Sequence, residues 1–518
     1  MDRISILPYD VIALIFDHLE FRDRVRCSGV CKTWRMYMLD LYECVVVETP
    51  KLDKKDAYSE SLLLWLSRIK GDTAHHLKIS FEAPQFSAAI MDLIATNNWT
   101  RLESILLCKP FCLGSKAACQ AVNASPWMTM IRNCSSHLRE LNLHYPSIYI
   151  KSRDMMTILT TCNRLTRFYY RETKDQFDDD TGSKDEPLIH THSSNAMLPY
   201  SNLTHLTWWA DYDLPFETVL PLCPKLVSLT VRDDEYTTSG QLKTLIELLL
   251  QKRNPRLRFF SIGGNNNESN HVVSSLEEDA IGLRYLNITP WKEEEQHHGW
   301  LLRLAADLFA ANYTTLLSLS LAIDQHDALP FWTWICQPTR GISSLTSLTY
   351  CFPWDQANGA ELESLFYKFL MQCPHLAHLS LENVPWNMYQ LLRVLSASFA
   401  LTSVVLNNTS ANTCAQREHY QHDSEGPVIL PSLRLLDLAL PLNDTFLQGL
   451  GPLENLTHFV LGHGPVFSSS ELERFLATKA PQLKRIEMHG FNCKDAKTSH
   501  EVKHAMARLS SKPEVFVN

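Results

Sequence analysis

The hydrophobic pattern of the chain falls into two regimes. In the first, apolar residues recur at Val11, Ile12, Ile15, Phe16 and Leu19, one wide stripe at a helical period of about 3.6 residues. Pro8 stands just ahead of it, where a first-turn residue loses nothing by lacking an N–H. A second set, Val25, Cys27, Val30, Cys31 and Trp34, predicts two further short helices. Cys44-Val45-Val46-Val47 then reads as a first short strand, and residues 51–76 as polar and then helical, with Leu62, Leu63, Leu66 and Ile69 on one side. In the second regime a unit recurs: Leu-x-x-Leu-x-Leu, with aromatic or β-branched substitutes. It begins at Leu102, Leu138, Leu165, Leu203, Leu226, Leu257, Leu283, Leu316, Leu345, Leu376, Leu401, Leu433, Leu456 and Leu483. These starts lie 23 to 38 residues apart, about 29 on average.

The period within each copy dictates its form. Leucines at the fourth and sixth positions alternate by two, so both point to one face of a short strand. The segment after it often has helical spacing, as in Leu242, Leu245, Ile246 and Leu249. Pro224, Pro255, Pro374 and Pro481 each stand two residues before a start, where proline stops a helix and frees the chain for the next strand. One such unit buries little alone; stacking makes its core continuous. The first forty residues carry too much apolar surface for so small a unit to hide by itself.

Leu7-Pro8, an amphipathic helix ending at Leu19, and Val30-Cys31-Lys32-Thr33-Trp34 together resemble an F-box over residues 4–42. Cys27 stands where that family often has Leu. The resemblance implies docking to the Skp-type adaptor of an SCF ubiquitin ligase and, through it, to cullin and RING subunits. It implies Leu7, Pro8, Ile12, Ile15, Leu19, Val30 and Trp34 as the residues buried between adaptor and helical core. The repeats resemble the leucine-rich repeats that follow an F-box in many SCF substrate receptors. They lack the usual Asn or Cys ladder after the last strand leucine, where Pro146, Asp234 and Val384 stand instead.

The fold class expected is therefore α/β: a three-helix F-box over 1–44, then an irregular leucine-rich-repeat solenoid over 45–500, with short parallel strands on its concave face and helices outside. Loop insertions are expected near 174–200, 263–280 and 407–427, and a closing helix and tail over 501–518. In such a solenoid the side chains between the strand leucines face outward. Here they include Arg167, Tyr169, Arg171, Trp209, Arg232 and Tyr285, and later Glu382, Asp437, Arg485 and Glu487. Trp291, Trp354 and Trp386 each follow a proline just after a strand, on one rim of the array; each either grips a target or plugs a gap between unequal repeats. Arg and aromatic residues anchor interfaces, and Arg167 and Arg171 would suit a phosphate.

Composition narrows the function classes. The chain has 518 residues, 45% hydrophobic and 20% charged, with a formal net charge of −9; nothing there supplies the basic surface that nucleic-acid binding needs. No leader-like run opens the sequence and no uncharged apolar run reaches the length of a bilayer span, so the expectation is a soluble chain of the cytoplasm, the nucleus or both, with no membrane partner. The fourteen cysteines are scattered, unlike a disulfide framework. Cys27-x3-Cys31 and Cys108-x3-Cys112 are not paired zinc-ligand sets, and the side chains of His75-His76 and His297-His298 diverge. No Walker loop, Gly-x-Ser-x-Gly elbow or His-Glu-x-x-His is present. The expectation is a non-catalytic subunit with no metal and no cofactor that holds a protein target for ubiquitination. The alternative is a repeat scaffold that uses the F-box only to bind the adaptor.

Overall fold

In the computed structural model the described residues are 6–19, 21–37, 43–48, 63–67, 69, 71–80, 90, 92–108, 124–144, 150, 152–171, 200–209, 214–231, 239–251, 255–263, 282–289, 299–323, 325–336, 342, 344–352, 359–384, 388–396, 400–407, 426–439, 444–462, 468–488 and 514–517. The chain divides into two compact units, Met1–Leu248 with Lys252–Leu257, and Leu249–Gln251 with Arg258–Asn518.

The first unit begins with three helices, α1 (Tyr9–Asp17), α2 (Phe21–Ser28) and α3 (Lys32–Tyr37). Seven strands follow: β1 (Cys44–Glu48), β2 (His76–Ser80), β3 (Ser104–Cys108), β4 (Glu140–His144), β5 (Arg167–Arg171), β6 (His205–Trp209) and β7 (Ser228–Val231). Each pairs in parallel with the next in sequence, with no residue of slip. Helices Ala124–Cys134, Ser152–Thr161 and Phe216–Leu222 lie between strands, and Ser239–Leu250 follows β7.

The second unit repeats the plan with β8 (Phe259–Gly263), β9 (Tyr285–Thr289), β10 (Ser318–Ala322), β11 (Ser347–Cys351), β12 (His378–Glu382), β13 (Ser403–Asn407), β14 (Leu435–Ala439), β15 (His458–Leu461), β16 (Arg485–Met488) and β17 (Glu514–Val517). Again every strand pairs in parallel with its successor. Among the described residues six helices lie between them: Gly299–Asn312, Gln325–Ile335, Gly359–Met371, Met388–Ser396, Asp444–Gly449 and Ser469–Lys479. The fold is thus mixed α/β with long, sequentially ordered parallel sheets, compatible with a repeat solenoid.

Each of the fourteen lead leucines is buried, and a strand begins two residues after every one of them. The fourth- and sixth-position residues, such as Leu141 with Leu143 and Leu379 with Leu381, are buried on the same face. The lead leucine closes the turn from the preceding helix: the N–H groups of Leu165, Leu226 and Leu376 donate to the carbonyls of Cys162, Cys223 and Cys373. Those cysteines, and Cys134, whose carbonyl accepts the Leu138 N–H, are buried thiols, and burial raises each of them, Cys134, Cys223 and Cys373 to about 12 and Cys162 to about 11. They are packing residues, far from the thiolate form that reacts or binds metal.

Register is fixed one residue after the lead leucine. There the carbonyl of one copy accepts two N–H groups of the next: Arg139 O from Thr166 N and Arg167 N, Thr166 O from Thr204 N and His205 N. Where that next residue is threonine, its hydroxyl adds a third donor to the same carbonyl. Thr166, Thr204, Thr346, Thr402 and Thr457 bond in this way to the carbonyls of Arg139, Thr166, Leu317, Ala377 and Arg434, at 3.1, 2.9, 3.1, 3.0 and 3.1 Å.

The three expected loop insertions and the proposed closing helix at 501–509 fall almost wholly outside the described residues. Three of the described strands are announced by no copy of the motif: β1, read from its own apolar run, β2 and β17. In β2 the place of the lead leucine is taken by buried Ala74. The tail ends in β17, which extends the second sheet beyond β16.

Candidate functional site

Two surfaces carry the residues singled out in the sequence. The first is the helical unit. Pro8, in extended conformation, caps α1 from outside, and its carbonyl accepts the N–H groups of Val11 and Ile12 at 3.0 and 3.1 Å. The wide apolar stripe of α1 then divides. Ile12 and Phe16 are buried, with Leu19, Cys27 and Trp34 packed against them. The Phe16 and Trp34 rings meet edge to face at 5.4 Å. The Arg35 guanidinium donates its Nε–H to the Ser28 carbonyl at 3.2 Å, tying α3 to the end of α2. Val11 and Ile15 of the stripe are about 40% exposed, and beside them Leu14 is 60% exposed and, ahead of α1, Ile6 73% and Leu7 about 40%. Val30, in the turn after α2, is 63% exposed.

The seven residues expected at an adaptor face therefore separate by role. Leu7, Pro8, Ile15 and Val30 are exposed, whereas Ile12 lies in the helical core with Leu19 and Trp34 packed on it. Ile12 has no surface to offer a partner. Ile6, Val11 and Leu14 were not among those seven and are exposed beside them. Their signal is the run Leu7, Val11, Leu14 and Ile15, spaced by three and four residues on one helical face.

The second surface is the sheet face of the first unit turned away from the buried leucines. Pairing aligns its residues in rows: Ser80, Cys108, His144, Arg171 and Trp209 form one, and Lys78, Leu106, Asn142, Tyr169 and Thr207 another. A third row holds His76, Ser104, Glu140, Arg167 and His205. The Arg171 guanidinium carbon lies 4.5 Å from the centre of the Trp209 ring, a cation–π stack. The Tyr169 ring meets His144 edge to face at 6.4 Å. Burial, and then the Arg171 charge, pull His144 below the ordinary imidazole value; burial and Arg167 do the same to His205. Burial raises the Tyr169 phenol, with Arg171 opposing it.

Of the expected target-contacting residues, Arg167 is exposed and Tyr169, Arg171 and Tyr285 are half-buried. Trp209 takes the outward strand position, yet it is only 7% exposed. Its part is to support Arg171 rather than to reach outward. Tyr285 stands two strands into the second unit, its ring 6.3 Å from that of Phe259. There β8 is buried on both faces, as is the middle of β9. Arg232, Trp291, Trp354 and Trp386 lie outside the described residues.

Among the described residues no group of three or more His, Cys, Asp or Glu could hold a metal ion. No helix among them is long and apolar enough to cross a membrane. Residues 4–44 match the F-box domain family, the stretch that contains α1–α3 and their uncovered apolar face. F-box domains bind Skp-type adaptors, so this match supports a role in SCF-type complexes through adaptor binding. No curated protein matches the chain.

Proposed function

We propose that the chain is the target-recognition subunit of an SCF-type E3 ubiquitin ligase, with leucine-rich repeats as its target-holding part. The observation that carries the reading is the divided stripe of α1. One half already holds the three helices together through Ile12 and Phe16, while Leu7, Val11, Leu14, Ile15 and neighbouring Val30 stay exposed in the segment that matches an F-box. An apolar face next to an already satisfied core is a docking surface. The sheets would then hold a protein target beside the ligase's catalytic subunits. The chain's own work is positioning, which raises the local concentration of target lysines near the charged ubiquitin carrier.

The test compares Leu14→Asp with Ile12→Ala by affinity purification of the full chain. Fully burying a leucine contributes about 1.5–3 kcal/mol, so Leu14→Asp should weaken adaptor binding by about tenfold or more while the circular dichroism melt is unchanged. Ile12→Ala should instead lower the stability of the helical unit by about 2–5 kcal/mol. Adaptor recovery that Leu14→Asp leaves untouched sinks the docking face. Adaptor recovered without cullin sinks the ligase reading.

A further inference from the structure

We infer that the face of β4–β6 centred on Arg171 binds an anionic side chain, phosphorylated or carboxylate, carried by a protein segment; this rests on the reading of the sheet as the target-holding surface. The chain as a whole carries a formal net charge of −9, yet this face runs the other way. Across β2–β6 its outward positions hold Lys78, Arg167 and Arg171 against one carboxylate, Glu140. The corresponding face of β12–β16 is acidic by comparison, with Glu382, Asp437 and Glu487 against Arg485. Partners of opposite sign are steered to such a patch and held in register by it.

The two arginines are not equivalent. Glu140 is the register partner of Arg167 on the same face, an opposite charge on the adjacent strand. Within β2–β6 the row of Arg171 contains Ser80, Cys108, His144 and Trp209 and no carboxylate; Glu48 of β1 ends the same row four strands away, about 19 Å. Stacking on Trp209 and a hydrogen bond with Tyr169 hold the planar guanidinium in place, so less side-chain freedom is lost when an anion binds it. Arg167 lies four strand residues away, about 13 Å along β5. The first anion therefore belongs to Arg171, and Arg167 serves a second acidic group of the same segment. Tyr169 and His144, between and beside them, offer aromatic edges to the segment's backbone.

The test uses the full chain bound to its adaptor, probed with random-flank peptide pools whose central residue is Ser, Glu or phosphoserine. The anionic pools should be retained over the Ser pool, with the difference suppressed at high salt. Enrichment of the phosphoserine pool alone, or of both anionic pools, tells the two sources of charge apart. Arg171→Gln should lower that retention by about tenfold, the scale of one charge-assisted hydrogen-bond set, and Arg167→Gln by less. Arg303→Gln is the control: Arg303 stacks on Trp334 at 4.7 Å in the second unit, the same pair chemistry between two helices away from the strands, and its removal should change nothing. Equal retention of all three pools by the wild-type chain overturns the inference, as does an anionic preference untouched by both Arg171→Gln and exposed Arg167→Gln. The two readings fail separately. Loss of adaptor from the wild-type chain counts against the ligase, whereas an adaptor-bound chain indifferent to charge counts against this face alone.

Discussion

Leu14 and Ile12 are two residues apart on one helix and have opposite surroundings, and single residues of this protein are best read through such contrasts. The stripe read from the sequence holds Ile12 with Val11, Ile15, Phe16 and Leu19 and leaves Leu14 out; a period of 3.6 does not say which half of such a stripe is covered. What decides is where α3 returns: Trp34 meets Phe16 and leaves Leu14 bare. His144 and His205 pose the same question for charge. Each is half-buried beside an arginine, Arg171 and Arg167, and each has its imidazole value lowered from 6.5, first by burial. A lowered folded value means that the unfolded chain takes up the proton first, so stability rises with pH through this range. The stabilising contribution is full above the unfolded value of 6.5 and is lost as pH falls through it toward the depressed folded value. Urea unfolding at pH 7.5 and 5.5 should show a loss of stability on the acid side. The double variant His144→Gln/His205→Gln should reduce that loss; an unchanged difference between the two pH values would show that neither ring titrates against its arginine.

At the scale of the element, the strand–helix unit was legible because its three leucines do distinct physical jobs. The lead leucine closes the turn and the next two face the core, so all fourteen starts found in the sequence lead into strands. β2 was not legible, since Ala74 fills the lead position with a methyl group. β17 follows Lys512-Pro513, where no leucine leads. Trp209 obeys the alternation and still ends up covered, because period two assigns a face of the sheet but not what lies over it. The absence of an Asn or Cys ladder after the strand leaves the question of what locks one copy to the next. The threonine hydroxyls answer it: each completes a carbonyl that already takes two N–H groups from the neighbouring copy. The signal is visible in the sequence as Leu-Thr at the start of a copy, in Leu165-Thr166, Leu203-Thr204, Leu345-Thr346, Leu401-Thr402 and Leu456-Thr457. Thr204→Val and Thr402→Val keep the shape and remove one donor, while both N–H groups stay in place. Each should lower stability by about 0.5–1.5 kcal/mol in chemical denaturation. They lie in different units, so their effects should add. A neutral result for both would mean that the backbone alone sets the register.

At the scale of the whole molecule, the two regimes of the sequence correspond to two kinds of stability. A parallel array in which each strand touches only its neighbours is stabilised copy by copy, and its core is complete within the chain. The three-helix unit has a core built on Ile12 and Phe16, with apolar Leu7, Val11, Leu14 and Ile15 left outside it. Composition could not reveal this division, just as a formal charge of −9 could not reveal Lys78, Arg167 and Arg171 gathered on one face of β2–β6. Both are facts of placement, and summed quantities average them away. The difference in stability has a measurable consequence if the outer face of α1 is an adaptor site. A ligand that binds only the folded form at one hundred times its Kd stabilises what it covers by about 2.7 kcal/mol. Amide hydrogen exchange of the full chain with saturating Skp-type adaptor should slow through α1–α3, by up to about a hundredfold where exchange follows local opening. The amides of β11–β15 should exchange as before. Slowing spread evenly over both regions would mean that the adaptor stabilises the chain by some route other than the helical face, and protection confined to β2–β6 would move the docking site from the helices to the sheet.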